Sequence, residues 1–356
     1  MQRPRLYVHI GTQKTGTTTI QNTLYKNTSD LKKEGIIYLG RYRKLAAQIR
    51  TIQNINQNLN NSFKDAITND VQKYLNSNVK SFVISNEKFT GDKLIGYKNS
   101  NLIAKSLKKI TENLGLDIYI IIYIRRQDDF FEATYSQRIF SGESYSFKSF
   151  LNKFDRSHFH WDELIESYSK VFGKEKIIVR RYDNEHLPHR DSLIHDFGEA
   201  INSYFLSQFE DTSSQNLGLT RDSLEILKIV NKHFNKKDRD YLRKTIKKLV
   251  SKDPYDGYSF FNSEDRNDFL SIYEESNKKV LDLYINDNSD KLFPEPDSLN
   301  EISSDYNGLT TTKAVILLSK ILLKQNSKIK ELNSDNSIDK KSIARGIITK
   351  LRKVMP

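Results

Sequence analysis

A short stretch near the start of the chain combines two glycines, a lysine and a run of threonines. It reads GTQKTGTTT over Gly11–Thr19 and directly follows the apolar run Leu6–Ile10. A strand, a glycine turn and a helix start of this kind point backbone N–H groups at one spot, where the helix N-terminus adds partial positive charge. Lys14 adds a full charge, and the threonine hydroxyls add further donors. The stretch therefore predicts a site for a phosphate or sulfate group, with these candidate ligands: Gly11, Thr12, Gln13, Lys14, Thr15, Gly16, Thr17, Thr18 and Thr19.

The spacing of the two glycines leaves a second prediction open. Gly11 and Gly16 fit the Walker A pattern G-x-x-x-x-G-K-[ST], which cradles the phosphates of a nucleotide. Thr17 stands where that pattern requires lysine, and Lys14 lies two residues before the second glycine. A P-loop NTPase or a small-molecule kinase that uses ATP and Mg²⁺ is therefore the alternative.

Two arginines follow the most apolar run of the chain. The run Ile118–Ile124 has no polar alternation, as expected of a central parallel strand covered on both faces, and Arg125 and Arg126 come directly after it. Open α/β sheets bind ligands at the carboxyl ends of their strands, and arginine suits bidentate phosphate contact. A phosphate site is predicted here, and a surface ion pair with Asp128 or Asp129 is the alternative.

A carboxylate follows another short apolar run. Phe82–Ser85 leads into Asn86, Glu87 and Lys88. A carboxylate at the carboxyl end of a strand, near an anion-binding loop, could take a proton from an acceptor hydroxyl. Glu87 is therefore the candidate general base, and a solvated loop residue paired with Lys88 is the alternative.

Apolar runs and helical patterns alternate through the first half of the chain. The candidate strands are Leu6–Ile10, Ile36–Leu39, Phe82–Ser85, Ile118–Ile124 and Ile177–Val179. The candidate helices are Thr18–Lys26, Ile103–Leu114, Asp128–Ile139, Trp161–Phe172 and Ser192–Ile201. This repetition predicts an α/β fold in which a parallel β-sheet is sandwiched by helices.

Strand patterns stop after about Ile201. Amphipathic helices are predicted instead at Thr220–Phe234, Asp238–Val250 and Ser263–Leu283, the first of them capped by Thr220. We therefore expect an α/β core at 1–205, a helical part of the same domain at 206–300, and a basic C-terminal helical tail at 301–356.

Composition narrows the classes of function. The chain has 356 residues, a net charge of +12 and no cysteine. The absence of cysteine excludes disulfide scaffolds, Cys-ligated zinc, iron–sulfur clusters and thiol nucleophiles. The basic balance predicts an anionic partner. No apolar run approaches the ~20 residues of a membrane span and no signal peptide is visible, so a cytoplasmic location is expected, with membrane association as an option.

Positive charge is concentrated at the C-terminal end. Residues 313–356 hold 11 Lys/Arg against 3 Asp/Glu, which is +8 of the +12. Lys313–Gln325 places apolar residues beside lysines, a pattern typical of a helix that lies on an anionic lipid or glycolipid surface. The alternative is a helix that packs on the domain and exposes its lysines. A non-enzymatic binder of nucleic acid or membrane that uses this tail is a third prediction.

The segment Lys14–Thr18, KTGTT, resembles the 5′-phosphosulfate loop K-[ST]-G-T-T of sulfotransferases that use 3′-phosphoadenosine 5′-phosphosulfate (PAPS). The segment RRQDD at 125–129, followed by Tyr135-Ser136-Gln137, is similar to bacterial polysaccharide sulfotransferases. The resemblance spans roughly residues 5–220. It implies a P-loop NTPase-like sulfotransferase core, PAPS as donor without a metal, and a hydroxyl of a polysaccharide, oligosaccharide or glycolipid as acceptor, with no nucleic-acid partner.

The resemblance also implies roles for single residues. In that family an arginine ending this strand and a serine eight residues later hold the donor's 3′-phosphate. Arg125 matches the arginine, but the position eight residues later is Ala133. Either Thr134 supplies the hydroxyl through a small register change, or the backbone and Arg126 substitute for it. The glycan enzymes of the family use a glutamate base, which Glu87 resembles by position. Lys14 is the residue expected to stabilise charge on the bridging oxygen as the nucleotide leaves, so Lys14 and Glu87 are the catalytic candidates.

Overall fold

The computed structural model describes residues 3–50, 61–75, 78–189, 191–210, 218–249, 258–295 and 308–334. Within them, the strands are β1 (Arg5–Gly11), β2 (Ile36–Gly40), β3 (Ser81–Ser85), β4 (Asp117–Ile124) and β5 (Ile177–Arg181). The helices up to β5 are α1 (Thr17–Lys26), α2 (Thr28–Lys33), α3 (Arg43–Arg50), α4 (Asn61–Leu75), α5 (Ser100–Thr111), α6 (Gln127–Phe140), α7 (Phe147–Leu151) and α8 (Trp161–Phe172). Those after β5 are α9 (Ser192–Ala200), α10 (Tyr204–Ser207), α11 (Arg221–His233), α12 (Lys236–Leu249), α13 (Ser263–Ser271), α14 (Glu274–Tyr284) and α15 (Thr311–Ser334).

The five strands form one parallel sheet in the order β2-β3-β1-β4-β5. All five lie within a residue or two of the predicted runs, and the predicted α/β class with helices around a parallel sheet is confirmed. In a parallel sheet all carboxyl ends meet at one edge. The segments that follow β1, β3, β4 and β5 therefore lie side by side there.

Helices cover the sheet on both faces. Tyr7 of β1 and Tyr123 of β4 belong to a core cluster with Leu24 of α1 and Phe197 of α9. Because successive strand residues point to opposite faces, Leu6, Val8 and Ile10 are directed away from this cluster. On that other side α8 contacts β4 and packs against α5. Burial on both faces explains why β4 reads as an unbroken apolar run.

The chain divides into two compact units. The core unit comprises 1–137, 145–215 and 259–304, and contains the sheet. The helical unit comprises 138–144, 216–258 and 305–356, and contains α11, α12 and α15. Of the predicted tail at 301–356, residues 301–307 and 335–356 lie outside the described residues.

The helices beyond the sheet follow the predicted pattern with one break. The Thr220 hydroxyl caps α11 by accepting from the Ser223 amide (3.3 Å), as predicted. The single helix predicted at Ser263–Leu283 is wrong, because α13 and α14 are separated at Ile272–Tyr273. Tyr273 is fully buried and its hydroxyl donates to the Arg156 carbonyl (3.0 Å), an anchor that a straight helix would not require.

Buried ions attach the segment 258–295 to α6 within the core unit. Asp128 is fully buried and lies within 3.3 Å of the Arg266 guanidinium. One turn later, Glu132 accepts hydrogen bonds from the amides of Phe260 (2.6 Å) and Phe261 (3.3 Å). Burial raises the pKa of Glu132 to about 7 despite these donors. In the part of the chain that the structure describes, no helix is long and apolar enough to cross a membrane.

Candidate functional site

The glycine stretch after β1 is a loop held by its neighbours at the carboxyl edge of the sheet. The Thr12 amide donates to the Tyr123 carbonyl of β4 (2.7 Å). On the other side, the Asn86 amide after β3 donates to the His9 carbonyl of β1 (2.9 Å). The loop of residues 11–16, here called the anion loop, thus begins between two strands and ends at Gly16, directly before α1.

Both glycines of the anion loop are required by backbone shape and by space. Gly11 has φ +98°, and a Cβ there would lie 3.1 Å from the Cα and Cβ of Glu87. Gly16 has φ +71°, and its Cβ would lie 2.3 Å from a Leu193 methyl carbon. L-residues seldom adopt this left-handed region. The Glu87 atoms lie on or next to the backbone, and Leu193 is packed in the core cluster. Lys14 nevertheless adopts φ +68° between the two glycines, a conformation of the kind found at ligand sites.

The threonines of the stretch divide into inward and outward groups. Thr15 and Thr17 are buried, and their hydroxyls donate to the Thr12 carbonyl (2.7 and 3.3 Å), so they brace the loop. Thr18 is exposed and Thr19 is half-buried. The amides in the first turn of a helix have no intrahelical acceptors. The N–H groups of Thr17 and Thr18 are therefore directed out of the amino end of α1. The donors that this geometry offers to an anion are mainly backbone amides.

Glu87 lies against the anion loop, as the order of the strands predicts. Its carbonyl accepts from Gln13 Nε2 (2.9 Å), and its carboxylate accepts from Gln21 Nε2 (3.4 Å). Gln21, on the second turn of α1, also donates to the Ser85 carbonyl (3.0 Å). Glu87 is therefore held from the loop and from α1, with its side chain half-buried.

Sequence reasoning missed two residues that hold Glu87 and the loop together. Gln21 was detectable, since it follows Thr17 by one helical turn and so lies on the same face of α1. Tyr97 gave no signal: it is buried, and its hydroxyl donates to Gln13 Oε1 across 84 residues of sequence. Together Tyr97 and Gln13 form a chain of hydrogen bonds from the interior to the backbone carbonyl of Glu87.

The two arginines after β4 have different surroundings. Arg125 Nη1 donates to the Lys14 carbonyl (3.3 Å), and its guanidinium lies 5.5 Å from the centroid of the Tyr182 ring. Its carbonyl is fixed by the buried Trp161 indole (2.9 Å). Its Nε is buried without a hydrogen-bond partner among the described residues and lies 4.0 Å from the carboxylate of Asp129. Arg125 thus contacts the anion loop through the Lys14 carbonyl, and its role at a 3′-phosphate stays a prediction.

The guanidinium of Arg126 is hydrogen-bonded to other residues of the protein. Its Nε and Nη2 donate to the two carboxylate oxygens of Asp128 (2.7 and 2.9 Å), and Nη1 donates to the Pro294 carbonyl (2.8 Å). The carboxylates of Asp128 and Asp129 raise the pKa of Arg126, although burial opposes them. The ion-pair alternative considered for this dipeptide applies to Arg126, although its pair with Asp128 is buried and not at the surface, and Arg125 also lies within ion-pair distance of Asp129.

Thr134 lies on α6, about two turns beyond Arg125. Its side chain is 1% exposed, and its hydroxyl has no hydrogen-bond partner among the described residues. No hydrogen bond in the described part of the chain joins it to the anion loop, Glu87 or Arg125. Its role at a 3′-phosphate stays a prediction.

A buried histidine lies beneath the site. His9 is fully buried on β1, and its Nδ1 is 2.8 Å from Ser85 Oγ on β3, with which it is paired in the sheet register. Burial lowers the pKa of His9 to about 3, so the ring is neutral at physiological pH. The positive charge of the site therefore comes from Lys14, Arg125 and the α1 amides. No described group of three or more His, Asp or Glu side chains is placed to hold a metal.

Comparisons with known proteins give distant similarities. No protein-family profile matches the chain. A protein of Archaeoglobus fulgidus, described only as uncharacterized, is 28% identical over 188 residues, which are 52% of this chain and 51% of that protein. The chain thus spans about half the length of that relative. The crystal structure of a sulfotransferase from Alicyclobacillus acidocaldarius is similar with 13% identity and a TM-score of 0.39, over 67% of this chain and 100% of that one. This similarity is too distant to assign an activity.

Proposed function

We propose that the protein transfers a sulfuryl group from PAPS to a hydroxyl of a carbohydrate. The observation that carries this proposal is the arrangement at the carboxyl edge of the sheet. There Glu87 is held through its carbonyl by Gln13 of the anion loop and through its carboxylate by Gln21 of α1. The guanidinium of Arg125 donates to the Lys14 carbonyl of the KTGTT segment. The fold supports it too, because ligands of open parallel sheets bind at this edge.

The residues fit a donor with two separate anionic groups. The anion loop and the start of α1 offer backbone amides and Lys14 to a phosphosulfate. Arg125 reaches the other side of the loop, and its buried, unpartnered Nε is a donor that a second phosphate would satisfy. A 3′-phosphorylated nucleotide has such a second phosphate, which ATP lacks.

The chemistry requires one base and one stabilised leaving group. The Glu87 carboxylate takes the proton of the acceptor hydroxyl, whose oxygen then attacks sulfur. The bond between sulfur and the bridging phosphate oxygen breaks, and 3′-phosphoadenosine 5′-phosphate leaves with that electron pair. Lys14 and the α1 amides stabilise the charge that develops on the bridging oxygen. A glutamate base, rather than histidine, supports a carbohydrate acceptor, because the glycan enzymes that the loop resembles use glutamate.

The first experiment measures thermal stabilisation by 3′-phosphoadenosine 5′-phosphate, ADP and ATP–Mg²⁺ in parallel. A ligand at 100 times its dissociation constant stabilises the folded state by about 2.7 kcal/mol, which shifts the melting temperature measurably. We expect the 3′-phosphorylated nucleotide to stabilise most, and Arg125→Ala to lose that preference over ADP. Stabilisation by ATP–Mg²⁺ alone would instead identify the kinase or NTPase alternative.

The acceptor is tested in a second step with the wild-type protein. PAPS is supplied with a panel of oligosaccharides, and release of 3′-phosphoadenosine 5′-phosphate is followed with and without each acceptor. We expect release to accelerate with a carbohydrate and sulfate to appear on that carbohydrate. Nucleotide preference without acceleration by any carbohydrate would retain the donor and contradict the acceptor class.

A further inference from the structure

Helix α15 exposes aliphatic side chains outside its packed face. The packed face is formed by Leu317 and Ile321, which are 7% and 6% exposed. Ser319 is exposed, and the following branched aliphatic residues are between 42% and 66% exposed: Val315, Ile316, Leu318, Leu322 and Leu323. Single exposed aliphatic residues are ordinary, but five within nine positions of one helix form a patch of the kind that marks an interaction site.

The geometry of the helix places these residues in two rows. At 100° per residue, Val315, Leu318 and Leu322 follow one another at spacings of three and four, and so form one row. Ile316 and Leu323 form a second row on the far side of the outward face. This set of five residues is called the α15 apolar face below.

Basic and aromatic residues border the α15 apolar face. Lys313 and Lys320 are exposed on the same helix. On α12, Tyr241 is 53% exposed between the exposed Lys237 and Lys244. Gln325, one turn beyond Leu322 in the first row, donates to the Tyr241 hydroxyl (3.1 Å), so that row leads directly to this basic edge of α12. An aromatic ring with a polar tip, flanked by lysines, is suited to a boundary between water and lipid.

We propose that the α15 apolar face and the adjoining edge of α12 dock on the surface of an anionic lipid bilayer. The aliphatic side chains enter the headgroup boundary, while the lysines meet the headgroup phosphates. The positive charge of this region favours an anionic bilayer over a second copy of the chain as the binding partner. Residues 313–356 hold +8, so two such tails would repel each other in a symmetric dimer, whereas a negatively charged leaflet complements them. The proposal is independent of the sulfotransferase assignment.

The test is co-sedimentation of the full chain with phosphatidylcholine vesicles, with and without phosphatidylglycerol. We expect binding only to the phosphatidylglycerol vesicles, weakened by salt. Leu322→Gln combined with Leu323→Gln is expected to lower the partition coefficient at least about tenfold. Lys320→Gln is expected to lower it about fivefold. The control is Leu283→Gln on α14, where an equally exposed leucine (51%) lies outside the patch and should leave binding unchanged.

The variants replace exposed side chains, so their melting temperatures should equal that of the wild type. Failure to bind phosphatidylglycerol vesicles would overturn the proposal. Binding that persists in the double leucine variant would show a purely electrostatic contact without insertion, and would overturn it too. Sedimentation velocity gives a third result: a dimer that dissociates in the double variant, with no vesicle binding, would assign the face to a second copy of the chain.

Discussion

Cationic side chains gather at two helix ends of opposite polarity in this protein. At the amino end of α1, Lys14 and Arg125 lie on the anion loop. At the carboxyl end of α6, three side chains of the helical unit bind backbone carbonyls instead. Asn231 donates to the carbonyls of Ile139 and Glu143 (2.7 Å each). Arg243 donates to the Phe140 carbonyl (3.0 Å), and Arg239 Nη1 lies 3.5 Å from that of Gly142.

The helix dipole explains why similar charges have different consequences at these ends. Carbonyls at the carboxyl end carry partial negative charge, so Arg239 and Arg243 complete a cap that the chain supplies for itself. At the amino end of α1, cations add to charge that is already positive, and in the proposed function an external anion would provide the balance. The cavity of about 180 Å³ at the α6 end is therefore a capped helix terminus rather than a second anion site. Its lining residues are Ser141, Gly142, Asn231, Lys236, Arg239, Asp240 and Arg243.

The largest difference between the two ends should appear in catalysis. Lys14→Ala is expected to lower the rate of sulfuryl transfer about 10²–10³-fold, because one preformed charge on the leaving oxygen is lost. Lys236→Ala removes the same charge from the lining of the cavity at the α6 end and should leave the rate unchanged. Release of 3′-phosphoadenosine 5′-phosphate from PAPS measures both. Equal rates in the wild type and Lys14→Ala would place the chemistry elsewhere.

Substitutions of the two adjacent arginines after β4 should affect ligand binding and stability differently. Arg126→Ala should lower the free energy of unfolding by about 3 kcal/mol, because buried Asp128 loses its bidentate partner and keeps only Arg266. Arg125→Ala should cost less than about 1 kcal/mol of stability but weaken 3′-phosphoadenosine 5′-phosphate binding about 30-fold, near 2 kcal/mol. Urea denaturation and titration calorimetry measure the two effects. Equal loss of stability in both variants would contradict the distinction.

A substitution that leaves the charge unchanged can test the backbone conformation of the anion loop. Gly16→Ala must place a methyl group 2.3 Å from Leu193 in a left-handed backbone conformation. Gly115→Ala is the matched control, because its φ (+68°) is nearly the same as that of Gly16 (+71°) but no atom lies within 4 Å of its added Cβ. We expect about 1 kcal/mol of destabilisation at Gly115, and about 2 kcal/mol more at Gly16. Similar losses in thermal denaturation would show that Leu193 moves aside easily.

The sequence predicts most of the core unit because its signals are local. The strands are buried apolar runs, which are visible in the sequence. A residue that follows a parallel strand must lie at the carboxyl edge of the sheet, so the position of Glu87 and Arg125 near the anion loop could be predicted from the sequence. Contacts between distant segments left no such signal. Residue type and spacing alone do not distinguish Arg125 from Arg126. In the structure, the Pro294 carbonyl accepts a hydrogen bond from Arg126. Nor do residue type and spacing show that Tyr97 holds Gln13.

The smallest expected effect tests the cap at the α6 end. Arg243 is 24% exposed, donates to the Phe140 carbonyl and lies 5.0 Å over the Phe140 ring. Arg243→Met keeps much of the stem that covers the ring but removes the donor, so it should cost about 1 kcal/mol in urea denaturation. Because the charge serves the chain's own carbonyl, nucleotide affinity should not change. Stabilisation of the wild type by inorganic sulfate that Arg243→Met loses, while Arg125→Ala keeps it, would reverse the assignment: the α6 end would be the anion site.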